Sequence, residues 1–255
     1  MPSADAALSF VRSVRTAEPA PAALEYFDGN ALALLREQKR TNPAFKEIPE
    51  MKSGLMAALY LEYNGDTDAA VEGAVEAMTE RLALAGGEAN DTLLASEAKE
   101  MERVKFFRHA VPEAVNLAID GMRKKDGRIT KLGTDLAVPD DALEEVMKMY
   151  TDDLEKSGLK HVIFGHIGDN HLHVNILPDS MDQYDEGKRM YLKWAKKVVD
   201  MGGTVSAEHG IGKMKTAFLK DMYGEEGIGQ MRELKKCFDP LGLLSRGNLF
   251  AWEGA

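Results

Sequence analysis

The chain has 255 residues, of which 44% are hydrophobic, and carries a formal net charge of −10. This composition allows one large or two small globular domains with an apolar core, and its acidity argues against a general role in binding nucleic acid. The single cysteine, Cys237, excludes an internal disulfide, and no apolar run approaches the roughly 20 residues of a membrane-spanning helix.

Hydrophobic residues recur at helical spacing in seven segments. The predicted helices cover residues 3–16, 30–38, 67–84, 96–118, from Asp140 or Asp141 to Lys156, 181–201 and 213–237. Ser3 and Asp28 are predicted caps of the first two helices. Pro112 should kink or divide the fourth helix, and Gly224 should interrupt the last one.

Short strands alternate with these helices. We predict strands at 54–63 (buried), 91–95, 134–139, 161–164 and 171–177; segment 22–27 is ambiguous, and 41–52 is predicted to be a surface loop. No glycine-rich phosphate loop opens a helix after a strand. The order of elements predicts one α+β domain with an antiparallel or mixed sheet and helices packed mainly on one face.

Histidines are concentrated in one part of the chain, with five of the six lying between His161 and His209. Residues 165–170 form a Gly/Asp/Asn-rich turn between two predicted strands, which indicates a hairpin that brings His166 back beside His173. Along the second strand His171, His173 and Asn175 share one face.

A second glycine-bounded segment, residues 203–212, supplies Glu208 and His209. Two imidazoles and one carboxylate can hold a divalent metal and leave coordination positions open for a substrate. The alternative is that each histidine only hydrogen-bonds to backbone groups. The clustering favours a site, although for His171 itself we favour a packing role or a role in supporting a ligand.

Three motifs resemble the C-terminal half of FAD-linked oxidases of the D-lactate, glycolate and D-2-hydroxyglutarate dehydrogenase family. They are residues 165–173 (GHIGDNHLH), 206–212 (SAEHGIG) and 237–240 (CFDP), and segments 97–108 and 134–139 are further matches in the same order. The resemblance implies a ferredoxin-like α+β cap domain over residues 1–255. It also implies that the flavin-binding domain is absent from this chain.

Mapped onto this sequence, the resemblance implies that His166, His173 and Glu208 are metal ligands. It makes His209 the catalytic base, and Arg108 and Asn175 substrate-binding residues. No cofactor-binding residue is assigned.

The sequence departs from the family pattern at three places; the first supplies a spare imidazole, and the second and third leave the particular hydroxy acid and the flavin contact unspecified. The usual Gly-Asn pair is Asn170-His171 here, and Pro112 replaces a residue that bears a hydroxyl in hydroxyglutarate enzymes. The usual Asn-Pro-Gly-Lys near the end is Ser-Arg-Gly-Asn at 245–248.

The function implied is oxidation of a D-2-hydroxy acid to the 2-oxo acid, with a divalent metal, expected to be zinc, in the site. FAD would be held by another domain or subunit, and an acceptor protein or quinone would take the electrons, so the chain alone should be inactive. We expect a cytoplasmic location, with the inner face of the membrane as an alternative. A metal-dependent hydrolase with His209 as base and a non-catalytic metal-binding subunit remain open from the residues alone.

Overall fold

The computed structural model describes residues 1–252, which form seven α-helices and one six-stranded sheet. The helices are α1 (Ala4–Arg15), α2 (Gly29–Thr41), α3 (Asp68–Leu84), α4 (Ala98–Arg123), α5 (Leu143–Ser157), α6 (Met181–Asp200) and α7 (Thr216–Phe238). The strands are β1 (Ala23–Asp28), β2 (Ala57–Glu62), β3 (Leu132–Gly133), β4 (Leu136–Ala137), β5 (His161–His166) and β6 (His171–Ile176). The predicted domain runs to residue 255, and its last three residues lie outside the described part.

Every strand pair in the sheet is antiparallel. The order is β2-β1-β5-β6-β3, and β4 pairs with β6 beside β3. The central hairpin of β5 and β6 is in register from His161 opposite Ile176 to His166 opposite His171. The predicted α+β class with an antiparallel sheet is confirmed.

The sheet separates two apolar cores of unequal size. Five helices, α1, α3, α5, α6 and α7, contribute to the larger core together with Leu172, Val174 and Ile176 of β6. Helices α2 and α4 cover part of the opposite face, where Val162 and Phe164 of β5 are buried. Because side chains alternate along a strand, the predicted site residues of β6 lie on this second face, which carries fewer helices.

Four segments differ from the prediction. The strand predicted as buried at 54–63 is the edge strand β2, in which only Ala57 and Tyr60 are buried. No strand forms at 91–95. Residues 89–91 form a 3₁₀ turn, and Leu93 and Leu94 are exposed. The segment 41–52 is not wholly a surface loop, since Phe45 and Ile48 are buried in the smaller core. The ambiguous segment 22–27 is strand β1, which lies between β2 and β5 in the sheet.

Three features of the helices bear on the prediction. Of the two outcomes predicted at Pro112, a kink or a division, division does not occur, since α4 runs through it; buried neighbours such as Val111 and Val115 hold the helix against the sheet. Neither Asp140 nor Asp141 caps α5, because Asp140 instead pairs with Arg15 and accepts a hydrogen bond from Asn170. The interruption of α7 at Gly224 is confirmed by its φ of 64° and ψ of −177°.

The predicted cap at Asp28 has a measurable role in stability. Its carboxylate accepts a hydrogen bond from the Ala31 N–H at 2.7 Å at the start of α2. Asp28→Ala leaves that donor unpaired and should lower the free energy of unfolding by about 1–2 kcal/mol, as measured by urea denaturation.

Asp28→Asn keeps the capping oxygen and is the matched control. Burial raises the pKa of Asp28 from 3.8 to about 7 in the folded chain. Wild-type stability should therefore fall as pH rises between these values, by up to about 1.4 kcal/mol per pH unit, whereas Asp28→Asn lacks this loss. A stability difference between the two that stays constant from pH 5 to pH 7 would contradict this account.

Within the described residues, none of the helices is both long enough and apolar enough to cross a membrane.

Candidate metal and substrate site

The predicted histidine hairpin is present and places three imidazoles on one face of the sheet. The chain reverses through a 3₁₀ turn at Ile167–Asp169, which ends at Asn170 with a left-handed φ of 52°. His166 then lies opposite His171, with ring centroids 5.6 Å apart, and His173 lies 4.4 Å from His171. Asparagine, the residue at position 170, is one of the few types that tolerate this left-handed backbone conformation.

Glu208 reaches this hairpin from the irregular segment that follows α6. That segment is tied to the sheet by an isolated bridge between Ala137 and Thr204. The Glu208 carboxylate lies 3.1 Å from His173 Nε2 through Oε1 and 3.4 Å from His166 Nε2 through Oε2. The structure therefore brings together the three residues that the resemblance implied as metal ligands.

His173 is oriented to offer its Nε2 lone pair to this gap. Its Nδ1 lies 2.9 Å from the Thr134 carbonyl oxygen, and because a carbonyl only accepts, Nδ1 carries the proton. Burial lowers the pKa of His173. A neutral ring with a free Nε2 is the form that binds a metal.

His166 is oriented in a comparable way by a carboxylate. Its Nδ1 lies 2.9 Å from Glu25 Oε1, and this hydrogen bond raises the pKa of His166. A carboxylate behind a ligating histidine fixes the ring and increases its basicity. Glu25 is itself only 4% exposed.

Glu208 is suited to act as an anionic ligand. Burial alone would raise the pKa of its carboxyl group, but the surrounding imidazoles, led by His166, His171 and His173, bring the pKa below its usual value. A carboxylate that stays ionised among imidazoles offers both oxygens to a cation.

The donor set fits a divalent metal. One ligand atom each from His166, His171, His173 and Glu208 lie within 4.8 Å of one another. His171 Nε2 is buried without a hydrogen-bond partner; it lies 3.2 Å from Asp135 Oδ1 but is not aligned for a hydrogen bond. Two imidazoles with one carboxylate suit zinc or a similar transition metal, and the buried His171 nitrogen leaves a fourth donor at hand.

His209 lies at the rim of the cluster. Its Nε2 is 3.1 Å from Glu208 Oε1, and its side chain is 56% exposed. The ring stacks on His173 with centroids 5.1 Å apart and planes 9° apart. His209 is thus in contact with the candidate ligands and also lines the cavity.

Arg108 is not a free cation in this structure. It projects from α4, its Nη2 donates to Glu25, and its Nη1 lies 3.9 Å from Glu62. Its guanidinium also lies over the Tyr60 ring, 5.7 Å from the centroid. An ion pair with Glu25 therefore accompanies any contact that Arg108 makes with a substrate.

Asn175 leaves an acceptor unused. It is 1% exposed, and its Oδ1 has no hydrogen-bond partner. Buried polar atoms of this kind are uncommon without a ligand or water. The Asn175 side chain also lines the adjoining cavity.

All six predicted site residues line one cavity of about 510 Å³. They are Arg108, His166, His173, Asn175, Glu208 and His209. A cavity of this size takes a small molecule with few polar contacts. The two predicted segments, 165–173 and 206–212, thus meet on the sheet face that few helices cover.

Three residues that orient the site were not assigned from sequence: Glu25, Thr134 and Asp135. Thr134 and Asp135 fell in a segment noted only as a strand and a family match. Glu25 lay in the ambiguous segment 22–27. The available signal for Glu25 was its position inside an apolar segment, because an acidic side chain that is buried needs polar partners.

Gly165 makes room for the His173 ring. Its φ is +139°, and a Cβ there would lie 2.9 Å from the His171 carbonyl oxygen and 3.1 Å from His173 Cδ2. We expect Gly165→Ala to lower the free energy of unfolding by about 1–3 kcal/mol and to weaken metal binding about tenfold by displacing the ring. Urea denaturation and chelator competition measure the two effects.

Gly73→Ala is the matched control for this prediction. Gly73 lies inside α3, and a methyl group added at its Cα would have no neighbouring atom within 4 Å. Alanine there should add about 0.5–1 kcal/mol of stability and leave metal affinity unchanged. Equal metal affinities for both variants would contradict the role given to Gly165.

Comparison with protein families matches residues 1–249 to the family described as FAD linked oxidases, C-terminal domain. The chain belongs to this family, as the sequence motifs predicted. It is 27% identical over 249 residues to the glycolate oxidase subunit GlcD of Bacillus subtilis, covering 97% of this chain and 49% of that protein. It is 24% identical to the mitochondrial D-lactate dehydrogenase (cytochrome) of Kluyveromyces lactis, covering 89% and 37%.

A shorter match is closer in sequence. Over 95 residues the chain is 44% identical to the D-2-hydroxyglutarate dehydrogenase of Stutzerimonas stutzeri, covering 35% of this chain and 20% of that protein. Among solved structures, the 4-ethylphenol oxidase of Gulosibacter chungangensis shares the fold, with a TM-score of 0.54, 15% identity, and coverage of 90% and 47%. The chain spans about half or less of the length of these relatives.

Proposed function

We propose that this chain is the substrate- and metal-binding domain of a flavin-dependent oxidoreductase that oxidises a D-2-hydroxy acid to the 2-oxo acid. The single observation that carries the proposal is the convergence of His166 Nε2, His173 Nε2 and the Glu208 carboxylate, at 3.4 and 3.1 Å, on the wall of one cavity. Relatives of this chain are named for oxidation of glycolate, D-lactate and D-2-hydroxyglutarate.

The cavity suits a small hydroxy acid. Asn175, which lines the cavity, would contact the bound substrate, as the resemblance implies. Arg108 has five N–H donors, and those not directed at Glu25 would hold a carboxylate in a bidentate manner. Neutralisation of Arg108 by Glu25 would keep this affinity moderate and favour product release.

The proposed reaction separates the substrate's O–H proton from its Cα hydride. A divalent cation bound by His166, His173 and Glu208, with zinc as the proposed ion, would lower the pKa of the hydroxyl. His209 would take the proton, because it lines the cavity and histidine is the side chain that most often acts as a general base. The hydride would pass from Cα to the FAD of another domain or subunit.

A flavin-binding partner would also account for an exposed apolar surface. Met214, Phe238, Leu241, Leu243 and Leu244 are all more than half exposed. The C-terminal segment that carries most of them returns to the site, where the Leu249 N–H donates to the Gly212 carbonyl oxygen. Several large apolar side chains exposed in one part of a chain are typical of an interface. The electron acceptor after the flavin would be a further protein or a quinone.

The test is reconstitution under anaerobic conditions. The zinc-loaded, affinity-tagged chain is mixed with any flavoprotein that it retains from a lysate of its source cells, and the flavin absorption band is followed after addition of D-lactate, glycolate or D-2-hydroxyglutarate. We expect bleaching only when both proteins and the metal are present, and no bleaching with L-lactate or L-2-hydroxyglutarate. Hydrolysis of esters or amides by the isolated zinc-loaded chain, without any flavin reduction in the mixture, would refute the proposal.

A further inference from the structure

We infer that Asp135 is the positioning residue that holds Glu208 and His209 over the imidazoles of the hairpin. This inference rests on the proposed metal site, to which it adds a specific dependence. Asp135 is not among the candidate ligands. It would act through the backbone of the segment that carries one ligand and the base.

The carboxylate of Asp135 is completely buried beneath that segment. Its Oδ1 accepts the Glu208 N–H at 3.1 Å, and its Oδ2 accepts the His209 N–H at 3.1 Å. Oδ2 also accepts the Ser206 hydroxyl at 3.0 Å and the Lys215 ammonium at 2.6 Å. Both oxygens thus bind a segment more than 70 residues away in sequence, which has no regular secondary structure to fix it.

The backbone carbonyl groups of Asp135 and of Thr134, the residue before it, also help to orient the site. The Ala207 N–H donates to the Asp135 carbonyl oxygen at 3.1 Å. The carbonyl of the preceding residue, Thr134, holds Nδ1 of His173. Two consecutive residues between β3 and β4 therefore orient both halves of the candidate site, the hairpin ligand and the Glu208–His209 segment.

Only a carboxylate satisfies this set of partners. Every group that faces Asp135 in a hydrogen bond is a donor, and an ionised carboxylate offers two acceptor oxygens and no proton. Asparagine would place an NH₂ group against either the Glu208 N–H or the His209 N–H. One buried donor would then lose its partner, and the segment would have to shift.

The chain contains a second aspartate with similar contacts, which holds no candidate ligand. Asp239 accepts the Leu243 N–H at 2.8 Å and the Leu244 N–H at 2.9 Å, and Lys235 Nζ lies 2.6 Å from its Oδ2. It is also buried, at 8% exposure. Asp239→Asn therefore disturbs an equivalent arrangement without touching the candidate ligands.

The experiment compares wild type, Asp135→Asn and Asp239→Asn in the full chain. Zinc affinity is measured by competition with a chromophoric chelator, and Co²⁺ is used as a spectroscopic probe of coordination geometry. Asp135→Asn should bind zinc about 10–100-fold more weakly and give an altered Co²⁺ visible spectrum. Asp239→Asn should match wild type in both, although its thermal stability falls.

Wild-type affinity and spectrum in a folded Asp135→Asn chain would overturn the inference, as would equal losses in both variants. If Asp135→Asn does not fold, Lys215→Met makes the same test, with Lys235→Met as control. It removes the ammonium that fixes the carboxylate and should weaken zinc binding a few-fold and change the Co²⁺ spectrum; no change in either overturns the inference. Absence of zinc binding by wild type would instead refute the proposed metal site.

Discussion

Replacing His173 by alanine should abolish metal binding while the domain stays folded. The variant removes Nε2, which lies 3.1 Å from Glu208 Oε1 on the wall of the cavity. Loss of a residue that only supports a ligand typically costs 10–100-fold in metal affinity, so loss of a ligand should cost more than about 100-fold. Elemental analysis after gel filtration, together with chelator competition, measures the effect.

The fold should survive this change. The main structural loss is the hydrogen bond from His173 Nδ1 to the Thr134 carbonyl, which costs about 1–3 kcal/mol when one partner is removed. Domains of this kind have about 5–15 kcal/mol of stability. Circular dichroism and urea denaturation should therefore show a folded chain.

His161→Ala is the matched control for His173→Ala. His161 starts β5 on the same hairpin, and its ring contacts Asn30 and the Leu159 carbonyl rather than the cavity. Its removal should leave metal content unchanged. Equal metal content in His173→Ala and His161→Ala would refute the assignment of His173 as a ligand.

Replacing His209 by asparagine should abolish turnover without removing the metal. His209 is proposed to accept the hydroxyl proton, and loss of a positioned general base typically slows a reaction about 10²–10⁴-fold. The rate of anaerobic flavin reduction in the reconstituted enzyme, measured in a single turnover, reports this step directly. Metal affinity should stay within a few-fold of wild type, since His166, His173 and Glu208 remain.

His109→Asn supplies the matched control for His209→Asn. His109 also lines the cavity but lies outside the candidate ligand cluster, so its replacement should change the reduction rate by only a few-fold. A reduction rate close to wild type in a metal-loaded His209→Asn enzyme would exclude His209 as the base. If the reduction rate of His209→Asn fell in proportion to its metal content, His209 would act by supporting the metal ligands and not as the base.

Local features of the site could be predicted from sequence because they depend on neighbouring residues. Strand alternation placed His171, His173 and Asn175 on one face, and the turn composition of residues 165–170 predicted the hairpin. Both were confirmed. The capping aspartate Asp28 was also predicted, since its bond to Ala31 spans three residues.

Contacts between distant segments could not be predicted in the same way. Glu25 pairs with His166 across 141 residues, and the backbone N–H groups of Glu208 and His209 meet Asp135 across more than 70. No periodic pattern encodes such pairs, because they depend on strand order. The sequence predicted that Glu208 lies close to the hairpin, but only the folded structure could test that distance.

The errors in secondary structure have a similar cause. Residues 91–95 have the local composition of a strand, but no neighbouring strand is available and Leu93 and Leu94 remain exposed. Aspartate is a common helix-capping residue, but the Asp140 carboxylate binds Arg15 and Asn170 instead of the first N–H groups of α5. At residues 91–95 the lack of a partner strand outweighed the local preference for a strand. At Asp140 the two side-chain partners outweighed the preference for a helix cap.

The most direct measurement is an anomalous difference map at the zinc absorption edge, from crystals of the full chain grown with zinc. The account predicts one strong peak bonded to His166 Nε2, His173 Nε2 and the Glu208 carboxylate, at about 2.0–2.2 Å from each. A zinc-bearing crystal with no peak among these three side chains, and with the metal bound elsewhere, would contradict it.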